Sequence, residues 1–338
     1  VTEFGKLRDA LENATASACV VAPGTAVIKL KCGADTIFNR GNGAKIKADP
    51  TITDWEVTTG CATAPIGINK LKDVTIDFAA NPKFETEKVA VLKFETTAAG
   101  ASFKMTHLNF IFKNKGVCSD TDGCAVINIT GFKNVNITKV SMNTGAAAVP
   151  RENMPATGIL IKNADAITLD RVWVVKMAES GIAVAGGGAV TATVLKMNFN
   201  GKHGFAYQGC YERPSVAASL SLSSVGAGAF TFLSNNAKSG LFVDCDFGAT
   251  TVPINIKKVT FGSNSDHGMW LRGTFNVTLD GVDVKDNGGA FCGGGIRAIM
   301  RNTATAKARL QLKGSKVTGN RAKVSSSSSS SSSSICKH

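Results

Sequence analysis

No stretch of the chain is long and apolar enough to span a membrane as a helix, so no membrane span is expected. Charge is scarce: Asp, Glu, Lys and Arg make up only 19% of the 338 residues, and few pairs fall at helix-stabilising spacing. Acids are the scarcer sign, 25 against 38 bases, giving a formal net charge of +13. Catalytic signatures of fixed spacing are missing as well. There is no Gly-x-Ser-x-Gly elbow, no phosphate-binding loop, and no Cys-x-x-Cys or His-x-x-x-His metal pair. These absences imply neither a cofactor nor a metal. No nucleic-acid-binding motif accompanies the positive charge. The expected polyanion is therefore an acidic polysaccharide or wall polymer, not nucleic acid.

What is abundant points to β structure. Hydrophobic residues make up 43% of the chain, and Val, Ile, Thr, Gly and Asn recur throughout. The length suffices for a sizeable core. Nine cysteines are many for a cytosolic β protein and suit a secreted one, and the chain opens at Val1, as a processed product would. Secretion to the extracellular space or cell surface is the resulting expectation. Cys118 and Cys124 bracket "SDTDG", which reads as a disulfide-closed turn. Four sequons, at Asn13, Asn128, Asn136 and Asn276, permit N-glycosylation.

Internal repetition organises the sequence. Five segments align on a glycine: "ATGILIK" (Gly158), "ESGIAVA" (Gly181), "KHGFAYQ" (Gly204), "KSGLFVD" (Gly240) and "DHGMWLR" (Gly268). A second phrase recurs between them as "VNITKVSM", "ITLDRVWV", "INIKKVTF" and "VTLDGVDV". Both phrases alternate apolar and polar residues with the period of a half-buried strand, and turn-forming clusters separate them. The glycines read as tight corners that favour positive φ, and His267 as a corner residue beside Gly268.

Short strands repeating in this way resemble the right-handed parallel β-helix of the pectin-lyase-like superfamily, from about Val74 to Val324. The resemblance implies an all-β solenoid and leaves function open, because that fold hosts lyases, hydrolases, epimerases, adhesins and spikes. "EFGKLRDALENA" suits a short capping helix and "CVVAPGTAVIKL" an entry strand, as superfamily members often begin. Residues 1–324 are then one β-helix, with cap and entry coils over about 1–73, followed by a tail over 325–338.

Alternation places Leu241, Val243 and Cys245 in the core and Phe242, Asp244 and Asp246 outside. By the same phase Trp270, Arg272, Gln208 and Lys162 point outward. With coils about 4.8 Å apart, Phe242 and Trp270 form an exposed aromatic shelf beside Asp244, Arg272 and Gln208. Asp244 and Asp246 would stand on the order of 7 Å apart, a spacing that suits an inverting glycosidase. Asp-x-Asp followed by His267-Gly268 is loosely similar to polygalacturonases, and Arg272 would hold a uronate. That family's Asn-Thr-Asp, adjacent Asp pair and Gly-His-Gly are not matched. A lyase reading instead stacks His107, Lys139, Arg171, Lys196 and Lys258 into a basic ladder over an acidic glycan.

Past the last repeat come ten serines, Ser325, Ser326, Ser327, Ser328, Ser329, Ser330, Ser331, Ser332, Ser333 and Ser334, which are candidates for O-glycosylation. Cys336 follows as the odd cysteine of nine, placed to reach another subunit. An uncapped coil end with a tethering tail suits a repeating head-to-tail assembly. The preferred expectation is a secreted, glycan-decorated structural subunit that polymerises with copies of itself. The alternatives are a lyase or hydrolase of an acidic polysaccharide and a non-catalytic carbohydrate-binding adhesin.

Overall fold

The computed structural model describes backbone strands from Val20 onward. It describes side chains for residues 100, 102–105, 125–143, 157–213, 215–225, 231–245, 250–288 and 294–321. The two recurring phrases form two different walls. "VNITKVSM", "ITLDRVWV" and their equivalents enter long strands, Asn134–Asn143, Ala166–Val175 and Ala189–Asn198, each parallel to the next. They belong to a seventeen-stranded sheet. The glycine-led segments form Thr157–Lys162, Ile182–Ala185, Phe205–Gln208, Leu241–Asp244, Met269–Gly273 and Ile296–Met300. These also pair in parallel, one coil onto the next, within a nine-stranded sheet. Each repeat thus gives one strand to the smaller wall and one long or two short strands to the larger, which is a parallel β-helix. "CVVAPGTAVIKL" is not one entry strand: Val20–Ala22 and Thr25–Leu30 pair antiparallel across its Pro-Gly. The proposed capping helix and residues 325–338 lie outside the described residues.

Inward positions of both walls fill one core. Ile137, Leu169, Leu222, Ile256 and Leu279 from the larger sheet meet Ile161, Val184, Tyr207, Val243 and Leu271 from the smaller, all buried. Cys245 faces inward as its alternation requires and forms a disulfide with Cys210. Cys118, Cys124 and Cys336 lie outside the described residues.

The aligned glycines serve a purpose other than the expected one. None of Gly158, Gly181, Gly204, Gly240 and Gly268 has positive φ. They are small because neighbouring coils touch there. A Cβ on Gly240 would stand 2.6 Å from the Leu233 carbonyl oxygen, 2.9 Å from that of Gly268 and 3.0 Å from Asn264 Nδ2. That last contact belongs to a buried ladder, Asn200, Asn236, Asn264, Asn287 and Asn320. Each Nδ2 donates to the next Oδ1, at 2.9 Å for Asn236 to Asn264 and 2.8 Å for Asn264 to Asn287. The Oδ1 of Asn236, Asn264, Asn287 and Asn320 also accepts the preceding asparagine's backbone N–H, and that of Asn200 accepts the Met177 N–H, so the bend satisfies its own polar groups.

Positive φ falls on other columns. Within the larger sheet one bend is made by Lys139, Arg171, Val194, Lys258, Gly281 and Gly314, with φ between 53° and 60°. This corrects the basic ladder. Lys196 is paired in register with Trp173, two residues past the bend, and Val194 takes the place assigned to it. Lys139 and Arg171 are adjacent, but two coils separate Arg171 from Lys258. His107 falls at the same register, between Thr106 and Leu108, with its side chain outside the described residues.

Candidate functional site

On the smaller sheet the outward residues form two columns. One runs Leu160, Ala183, Ala206, Phe242, Trp270 and Arg297; the other runs Lys162, Ala185, Gln208, Asp244 and Arg272. Alanines at 183, 185 and 206 cut the wall down over two coils, while Phe242 stands up at the next. The result is a cavity of about 430 Å³. Leu160 and Phe242 bound it, and Lys162, Glu179, Lys202, His203, Gln208 and Lys238 supply its polar groups. A volume of that order accommodates one or two sugar rings.

The aromatic residues meet, but not as an open shelf. The His203 ring stacks on Phe242 with centroids 4.3 Å apart and planes at 18°. Phe242 and Trp270 lie 4.4 Å apart at 35°, and the Arg297 guanidinium sits 5.7 Å from the Trp270 ring. Phe242 is therefore covered on both faces and only 8% exposed, an end wall where a platform was expected. Trp270 is half-buried, and its Nε1 is buried without a hydrogen-bond partner among the described residues.

His203 is the group whose state the surroundings fix most firmly. Burial, then the charges of Lys238 and Lys202, lower its pKa to about 3. Its Nδ1 accepts the Ser239 N–H at 3.4 Å, which leaves the proton on Nε2. The ring is thus a neutral donor at ordinary pH. Lys202 is ion-paired with Glu179, and Lys238 is exposed at the rim.

Of the residues singled out for hydrolysis, Asp244, His267 and Arg272 are described. Asp244 is bound by the Arg272 guanidinium. The strand ends at Asp244, and Asp246 lies outside the described residues. His267 is 2% exposed, with Nε2 3.3 Å from Asp266 Oδ1. Gln208 does stand beside Asp244 in register. Lys139, Arg171 and Lys258 sit on the larger sheet's bend, away from the groove. Among the sequons, Asn128 is buried and its Oδ1 accepts the Thr130 hydroxyl at 2.9 Å. Asn136 and Asn276 are exposed, and Asn13 and Ser325 to Ser334 lie outside the described residues. Among the described residues no cluster of three His, Cys, Asp or Glu is placed to hold a metal ion, and no helix is long and apolar enough to cross a membrane.

Sequence reasoning passed over His203, Lys202, Lys238 and the alanine floor. The signal was available, because His203 precedes Gly204 as His267 precedes Gly268, and three alanines fall at outward phase in consecutive repeats. No protein-family model matches the chain. No curated protein matches it either. Among solved structures the chain is similar to the A-module of a mannuronan C-5 epimerase from Azotobacter vinelandii, at 11% identity over 96% of each chain, with a TM-score of 0.44. A likeness that distant says nothing of activity.

Proposed function

We propose that this β-helix binds an acidic polysaccharide, holding a short segment in the groove on the outer face of the smaller sheet. The observation that carries the reading is the composition of the groove. An alanine floor is closed by the His203–Phe242 stack and edged by Lys162, Lys202 and Lys238. Alanines admit a sugar ring close to the sheet, the His203–Phe242 stack closes its end, and the exposed Lys238 faces its carboxylates. His203 Nε2–H and the Gln208 amide supply uncharged hydrogen bonds. The net charge of +13 favours approach of such a polymer.

Binding without bond cleavage is the form this takes. Among the described residues, Glu179 in the groove and Asp244 beside it are each engaged by a cation, and His203 is held neutral with Nδ1 occupied. The secreted filament subunit preferred from the sequence depends on coil ends and on the tail, and the tail lies outside the described residues. Affinity electrophoresis through gels containing polygalacturonate tests the proposal. Retardation should exceed that in a neutral glucan, should weaken with salt, and should fall for Lys238→Ala, whose exposed side chain leaves the core untouched. Equal retardation in both gels would contradict it, and so would release of shortened or unsaturated products.

A further inference from the structure

The three lysines that edge the groove are not equivalent. Glu179, Lys202 and Lys238 stack at one corner, one per coil, through backbone hydrogen bonds. The Lys202 N–H donates to the Glu179 carbonyl at 2.7 Å, and the Lys238 N–H to the Lys202 carbonyl at 2.8 Å. The backbone thus sets an acid beside the first cation, and the Glu179 carboxylate pairs with the Lys202 ammonium, each side chain 29% exposed. Lys162, across the alanine floor, has an interaction of its own. Lys238 is exposed and makes no ion pair among the described residues, while Asp266, on the next coil, lies 3.3 Å from His267 Nε2. His203, beside Lys202, adds no positive charge at ordinary pH.

Resting on the acidic-polysaccharide reading of this groove, we propose that Glu179 is a specificity-determining residue. By occupying Lys202 it leaves the groove one cation for one carboxylate, so a uronan with isolated carboxylates binds better than one charged on every sugar. A segment of one or two rings brings its first carboxylate to Lys238. A second, on the adjoining sugar, has to leave water over the alanine floor or beside Glu179, where desolvation and like charge both oppose it. An uncharged sugar there meets neither penalty. An esterified one adds apolar contact with Ala183, Ala185 and Ala206, and the His203 Nε2–H donates to its carbonyl oxygen. The net charge of +13 by itself favours the opposite order, since the more densely charged polymer is attracted more strongly.

Affinity electrophoresis in two gels, one of polygalacturonate and one of the same polymer partly methyl-esterified, tests this. Wild type should be retarded more by the esterified polymer. Glu179→Gln, which frees Lys202, should strengthen retention by the fully charged polymer roughly fivefold, the upper end for one part-exposed ion pair, and so narrow or reverse the preference. Asp280→Asn, the same charge change on the larger sheet, should keep the wild-type preference, and circular dichroism checks that both variants fold. Stronger retardation of wild type by the fully charged polymer, or an unchanged preference in Glu179→Gln, would overturn the role of Glu179 and leave binding in place. No retardation of wild type in either gel would overturn the binding reading and this role together.

Discussion

The two walls of this β-helix share one backbone plan and differ in what their outward residues become. On the larger sheet Val252–Lys257 alternates strictly, with Pro253, Asn255 and Lys257 exposed between buried neighbours. On the smaller sheet Phe205–Gln208 and Leu241–Asp244 are each buried over three consecutive residues. Ala206 and Phe242 point away from the core and are nevertheless only 4% and 8% exposed. The pleat sets direction, but direction is not exposure. Outward residues remain wet where they are polar and flat, and they become walls and floor where small and aromatic residues alternate from coil to coil. The larger sheet carries an exposed aromatic, Phe232 at 36%, and Phe199 at 55% follows one of its strands, but neither lines the groove. On that contrast rests the proposal that the smaller sheet carries the binding groove.

The largest expected effect lies at the bend that holds the two walls together. Asn264→Leu removes the acceptor for the Asn236 backbone and side-chain N–H groups and the donor to the Leu233 carbonyl, all buried. Urea denaturation should show a loss of about 3 kcal/mol or more. Next comes a direct comparison of the walls. Phe242→Ala should cost about 3 kcal/mol, as removal of a buried ring does, whereas Phe232→Ala should cost less than about 1 kcal/mol. Equal costs would remove the distinction between the faces.

The acid response is a finer test. With the folded pKa of His203 at about 3 against an ordinary 6.5, the unfolded chain takes up the proton first. Its contribution is complete above pH 6.5 and is lost as pH falls toward about 3. His203→Gln should therefore flatten the decline of Tm across that window. The smallest effect is expected at the part-buried ion pair of Asp244 with Arg272. Asp244→Asn should change stability by less than about 1 kcal/mol and leave polyuronate retardation unchanged.

Much of the fold was legible because both periodicities are local. The glycine-led segments and the alternating phrases each mark a strand, and their recurrence marks the coil. Three features were not legible for identifiable physical reasons. By residue type Lys196 continues the cation column of Lys139 and Arg171, yet it pairs with Trp173. The bend in fact falls on Val194 at φ 54°, a conformation that a β-branched residue rarely adopts and that no propensity would assign to it. The asparagines of the ladder were visible as turn residues, but their stacking depends on registers of 23, 28, 33 and 36 residues set by insertions elsewhere. Of the site, the outward phase of Phe242, Trp270, Gln208 and Asp244 was correct. The groove was missed because it arises from alanines, which carry no chemistry of their own, and from a histidine on a turn.

Titration calorimetry of an oligogalacturonate into wild type and Ala183→Phe tests the central claim most directly. Ala183 is half-buried on the groove floor, where a phenylalanine would fill the space without entering the core. The account predicts saturable binding by wild type and none by the variant, with Tm unchanged. Binding by the variant as tight as by wild type would contradict it and move the saccharide off this face.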